Sequence, residues 1–184
     1  MSVPSDQPAP VLMFFQEIRP GDVRKQRAVS NDDPESGGGA RDLRIPQDYK
    51  SMLEPMFPRR GSEEGVQAGE IHWVGAEGPE EALIELWPPT TSRPAEIRIA
   101  LINNIRGWEV DEAAYEASRA ARQKWFYVLE KRENGEVWAR ILKEDAESRE
   151  PPELREYLRD RIRRTPPSRS IRGAIDFRAK SHYP

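Results

Sequence analysis

The sequence contains no cysteine and only two histidines among 184 residues. Without cysteine there is no disulfide, no thiolate zinc site and no cysteine nucleophile. His72 lies in a strand-like run beside Trp73, where packing or solvent contact accounts for it, and His182 falls close to the last residue. No run of about eighteen apolar residues occurs, and the first ten residues have no basic stretch leading into an apolar one. These absences predict a soluble, cytoplasmic protein with no membrane partner. H-E-x-x-H, G-x-S-x-G, Walker A and EF-hand patterns are also missing, so no motif-based enzyme class is indicated.

The length suits one domain with an ordinary core. Net charge is −3, but residues 1–150 hold 20 Lys/Arg against 28 Asp/Glu, whereas residues 151–184 hold 9 against 4. A basic end on an acidic body is a sign of an anionic partner, and equally of a solvated Arg-rich terminus. The division expected is a disordered N-terminus over 1–10, a domain over 11–164 and a basic C-terminal tail over 165–184.

The stretch 31–46 brings Asn, Asp, Pro, Ser and three successive glycines together, a composition that favours neither helix nor strand. It reads as a long surface arm entering a strand at Leu43-Arg44-Ile45. Before it, residues 11–18 form an apolar strand and 19–22 a turn. After it, 47–57 is a short amphipathic helix behind Pro46. Residues 58–69 form a polar connector, 70–74 and 82–87 strands, and 88–94 a second, Pro-rich loop. Strict alternation over 95–101 predicts Ile97 and Ile99 on one face of a strand, with Glu96 and Arg98 together on the other. A turn at 104–107 leads to an Ala-rich helix over 111–122. Aromatic and β-branched runs around Asn134-Gly135 predict a hairpin over 124–142, and a helix starts at Pro151-Pro152 and stops before Pro166-Pro167. Six or seven strands with two or three helices, and no repeating βα unit, favour a mainly β fold with α: an antiparallel barrel with flanking helices.

Catalytic candidates do not survive weighing. Gly37-Gly38-Gly39 lacks the spacing and the following Lys-Ser/Thr of a phosphate cradle. Asp33 and Asp48-Tyr49-Lys50 superficially offer a metal-nuclease order, but Asp48 is explained by a helix start. No catalytic residue, metal or cofactor is predicted. Recognition remains: Arg24, Lys25 and Arg27 with Arg41, then Arg93 with Arg98, then the terminal arginines, all beside loops of Ser, Asn, Thr and Gly. Such groups donate to phosphates and read base edges, and they also make up ordinary polar surface.

Asn31-Asp32, Ser36-Gly37-Gly38 and Ile45-Pro46 with the helix after it resemble the N-D-T-G-[AS]-T-G-G-H-Q…I-P segment of the N-terminal effector-binding domain of EcoRII-type restriction endonucleases, at matching length. The 95–99 segment resembles that family's N-E-x-R-[IVL], and the 125–142 hairpin followed by a helix comes in the same order. The resemblance implies a B3-like DNA-binding pseudobarrel related to restriction-modification, gripping the duplex major groove between two arms. It places Asn31, Asp32, Ser36, Gly37 and Gly38 in the first arm and Glu96 and Arg98 in the second. Where the family has His-Gln this chain has Gly39-Ala40, so a base-reading contact made there is either lost or moved to Arg41. A position often Arg is Pro94, with Arg93 adjacent. The nuclease half is absent. The expectation is therefore sequence-specific double-stranded DNA binding without cleavage, with a separate nuclease or another protein as a further partner, and with the 31–46 and 88–94 loops on the same side. The alternative is a protein-interaction or structural domain on the same barrel that has lost the DNA surface.

Overall fold

The first strand, β1 (Pro10–Glu17), is apolar at consecutive positions, and its side chains are buried on both faces. That pattern demands cover on two sides. The computed structural model describes residues 8–27, 42–92, 94–100, 102, 105–144 and 150–183. Within them, β1 is followed by α1 (Pro20–Arg27), β2 (Leu43–Pro46), α2 (Lys50–Leu53) between two 3-10 turns, β3 (Arg59–Arg60), β4 (Val66–His72), β5 (Glu80–Trp87) and β6 (Glu96–Ile99). Then come α3 (Glu112–Ala120), β7 (Trp125–Arg132), β8 (Val137–Lys143), α4 (Pro152–Arg164), β9 (Arg172–Asp176) and β10 (Ser181–Tyr183).

The strands join in one sheet of order β10-β9-β1-β7-β8-β4-β5-β6-β2, with β3 added on β4. All pairings are antiparallel except the short β4–β8 contact, where Ile71 meets Val137 and His72 meets Trp138. The sheet curls into a half-barrel, so the fold is mainly β with a few helices.

Alternation along β7 sorts the two cores. Trp125, Tyr127 and Leu129 face the inside of the curl with Phe14, Ile84, Ile97, Ile99 and Trp108. Phe126 and Val128 face the other way with Met13, Phe15 and Ile175, beneath Leu154, Tyr157 and Leu158 of α4. The hairpin turn is as expected: Gly135 takes φ +88, open to glycine at little strain, and Asn134 Oδ1 accepts from Glu136 N at 3.1 Å.

Four expectations are corrected. Residues 19–22 begin a helix, because Asp22 caps back onto Arg19 N (2.9 Å) and Gln26 is drawn inward to Trp108, Val110 and Tyr127. The segment expected as a basic tail instead supplies β9 and β10, since Ile171, Ala174 and Ile175 are buried and β9 pairs along β1. The two loops are also not rooted on one side. Leu43 pairs with Ile99 and Pro46 with Glu96, so the chain enters β2 at one end of this strand pair and enters β6 at the other, roughly 10 Å apart. Pro10, within the 1–10 stretch expected to be disordered, instead belongs to β1.

Gly173 sets how closely α4 lies on the sheet. A methyl there would come within 2.7 Å of both the Phe15 ring and the Tyr157 hydroxyl. Gly173→Ala should destabilise the fold by about 1–3 kcal/mol through overpacking, whereas Gly78→Ala, with nothing within 4 Å, should be neutral. Thermal melts of both variants check this; equal melting temperatures would contradict the packing.

Burial pushes the hydroxyls of Tyr49 and Tyr115 up to about 12. In the unfolded chain a tyrosine ionises near pH 10, so above that pH the unfolded state has released protons that the folded state keeps. Stability from these groups is present below pH 10 and is lost as pH rises toward 12. Urea midpoints should fall between about pH 9 and pH 11, and Tyr49→Phe should reduce the fall.

Candidate nucleic-acid interface

The first arm's Asn31, Asp32, Ser36, Gly37, Gly38 and Arg41, and Arg93 of the second loop, lie outside the described residues. Arg24, Lys25 and Arg27 lie on α1, where Val23 is buried, Gln26 is anchored inward and Arg24 is exposed. Glu96 and Arg98 share the outer face of β6, as alternation predicted, while Ile97 and Ile99 are buried in the core.

Arg98 is nevertheless not presented to solvent. Its side chain is only 8% exposed, and its guanidinium bonds Glu96 Oε1 through Nε (2.8 Å) and Nη2 (2.7 Å). Asp42 lies 3.8 Å from Nη1, and the Trp87 ring is stacked at 3.8 Å. A guanidinium so engaged cannot reach a guanine edge without breaking these contacts, so the base-reading role expected of this pair meets an internal ion pair instead. Cross-strand register explains it, because Trp87 stands opposite Glu96 on β5 and covers the pair. Trp87 is the residue the sequence reading missed; the alternation of β5, which puts Glu85 and Trp87 outward, is the signal that could have found it.

The arrangement ties two roots together. Asp42 immediately precedes β2, and Glu96 opens β6 after the Pro-rich loop, so one arginine holds the entry points of both loops. Beside it, Arg44 is exposed on β2, directly opposite Arg98 in register.

A second charged cluster lies on β7 and β8. Glu130 accepts from Arg132 (2.6 Å) and Arg140 (2.9 Å), and Arg140 reaches Glu150 through two bonds of 2.7 and 2.8 Å. Burial alone would lower the Arg140 guanidinium, but Glu130 and Glu150 outweigh it and hold it above its usual range. Arg132 stacks on Trp138, whose other neighbour is His72, 5.3 Å away and nearly parallel. His72 is thus part of a ring stack. Lys50 pairs with Glu54 at 3.4 Å rather than with Asp48.

Among the described residues no group of three His, Asp or Glu is placed to hold a metal ion, and no helix is long and apolar enough to cross a membrane. No protein-family model matches the chain, and no curated protein matches it.

Arg98→Ala removes the cation shared by Glu96 and Asp42 in a site largely shut off from water. The expected loss is about 2–4 kcal/mol, toward the lower end of values for broken buried pairs. For a domain of this size each kcal/mol is about 2–4 °C in melting temperature. A melt of Arg98→Ala indistinguishable from the parent would mean the pair is not a brace.

Proposed function

We propose that this chain is a sequence-specific double-stranded DNA-binding domain that grips the major groove with two loops and has no nuclease activity of its own. The observation that carries the reading is the strip between the loop roots. Its ends are roughly 10 Å apart, close to the major-groove width of about 12 Å. The strip is braced by Arg98 and carries the exposed Arg44. The resemblance of 31–46 and 95–99 to the EcoRII-type effector-binding domain, a B3-like pseudobarrel, supports the same reading from sequence, while the loop roots, at opposite ends of the β2–β6 pair, depart from the same-side placement it implied.

In this reading Arg24, Lys25, Arg27 and Arg41 neutralise phosphates. Asn31, Asp32, Ser36, Gly37, Gly38 and Arg93 form the arms that reach the bases. Glu96 and Arg98 act one step back: they position the arms and make no base contact themselves. Because 1–150 carries an excess of carboxylates, affinity must come from contacts at short range. A steep salt dependence follows.

Fluorescence anisotropy on a randomised duplex pool across salt concentrations tests this. Arg24→Ala should lower the log–log salt slope by about 0.9 while leaving the melting temperature unchanged, because Arg24 is exposed. Absence of duplex binding even at low salt would reject the reading in favour of a protein-interaction domain.

A further inference from the structure

The C-terminal layer carries a cleft of about 1110 Å³ between α4 and the β9–β10 hairpin. Its floor is a pair of stacked rings. His182 lies on Tyr157 with centroids 4.4 Å apart and planes 7° from parallel. Tyr157 is buried, and its hydroxyl donates to the Tyr183 carbonyl, so the lower plate is fixed to both α4 and β10. His182 is exposed and lines the cleft. It offers one flat face to Tyr157 and leaves the other for a ligand.

Cations stand around this plate. Arg159, Arg163 and Lys180 line the cleft and are exposed. Arg163 contacts Asp160, yet its side chain is 76% exposed, which leaves other guanidinium donors turned outward. The lining carboxylates are divided between tasks and ends. Asp160 holds Arg163 and Arg164, and Asp176 accepts the backbone N–H groups of Arg178 and Ala179 in the hairpin turn. Glu153 and Glu156 lie toward the opposite end of α4 from Arg163. Because α4 runs antiparallel to β9, with Arg161 on the Arg172 carbonyl and Tyr157 on that of Tyr183, Lys180 in the hairpin turn lies toward the Glu153 end of the cleft and Arg163 toward the other, so the plate has a cation to either side.

Lys180 ends the hairpin turn, which sets its φ at +51, in the left-handed region that glycine adopts freely and lysine does not. Replacing it by glycine therefore removes the charge without straining the backbone.

We propose that this cleft binds unpaired nucleic acid, one base stacking on His182 and the adjoining phosphates meeting Arg163 and Lys180. A cation to either side of the plate favours a strand over a free nucleotide, because a strand carries phosphates on both sides of each base. Stacking plates beside cations are the usual means of holding a single strand irrespective of sequence. The site is separate from the loops proposed to grip duplex, and the two readings stand or fall independently.

The test is fluorescence anisotropy of labelled oligo(dT) with the full chain, in the presence of excess unlabelled duplex. Saturable binding is expected. His182→Ala should weaken it about 5- to 150-fold, the worth of one stacked base. Lys180→Gly should weaken it and lower the log–log salt slope by about 0.7, with a melting temperature equal to or above the parent's because the left-handed strain is relieved. That pairing of weaker binding with undiminished stability separates a binding role from a folding one. No saturable binding of oligo(dT) at low salt would overturn the proposal, and so would unchanged affinity in both variants. Complete displacement by equimolar AMP would overturn it too, since the cleft would then be a mononucleotide site.

Discussion

Two neighbouring strands, β1 and β7, are buried on both faces, and this constraint shapes everything around them. A strand with one apolar face can rest on a core and show its back to water, but Met13, Phe14, Phe15, Phe126, Tyr127 and Val128 leave no face for water. On one side the sheet itself supplies the cover, by curling until Ile84, Ile97 and Ile99 of distant strands meet Phe14 and Tyr127. On the other side α4 does so, aligned by Leu154, Tyr157 and Leu158 and admitted by the missing side chain at Gly173. The curl and the C-terminal layer are two answers to one requirement.

Charged residues close the structure where this apolar supply ends. Past Val128 the outward positions of β7 become Glu130 and Arg132, and Arg140 bridges Glu130 to Glu150 just before α4. At the far end of the sheet Arg98 does the same for Glu96 and Asp42, with Trp87 as its lid. In both places an arginine with several donors in one plane satisfies two carboxylates from different segments, a task a lysine's point charge performs less well. Polar residues on a strand's outer face are therefore not a reliable guide to a ligand surface here. Several of them serve as internal ties.

That distinction also marks what the sequence could and could not reveal. The β7–β8 hairpin was legible because its cues are local: aromatic and β-branched runs on either side of Asn-Gly. The inward Ile97 and Ile99 and the shared face of Glu96 and Arg98 were legible from alternation. The burial of Arg98 was not, because it is imposed by Trp87 across the strand pair and by Asp42 at the other loop root. α1 was hidden for a similar reason: its eight residues bury little beyond Val23, and Gln26 anchors it through partners more than eighty positions away. β9 was hidden by its company, a short apolar run inside the most Arg-rich part of the chain, ordered by pairing with β1 from the opposite end of the sequence. The first arm's candidate residues lie outside the described residues, so its fit to the family pattern rests on sequence.

Charge is distributed unevenly along the curl. Residues 61–92, which make β4 and β5, contain seven carboxylates and neither lysine nor arginine. Of these, Glu70 and Glu81 are exposed and both pair with Arg59 from β3, and Glu80 pairs with Arg106. The sheet's end strands are different. β2 carries the exposed Arg44, and β9 and β10 belong to the segment with 9 Lys/Arg against 4 acids. The curl draws these ends toward one another through the short helical stretch after β2: Tyr49 packs edge-on against Phe14 of β1, and its ionisation responds to Arg161 and Arg172. Screening at physiological salt leaves a reach of about 8 Å, so the carboxylates of the β4–β5 hairpin are offset chiefly by the cations paired with them and little by those at the ends of the sheet. The acidic average of the chain thus hides an uneven distribution, with acids concentrated along β4 and β5 and cations toward the end strands of the sheet.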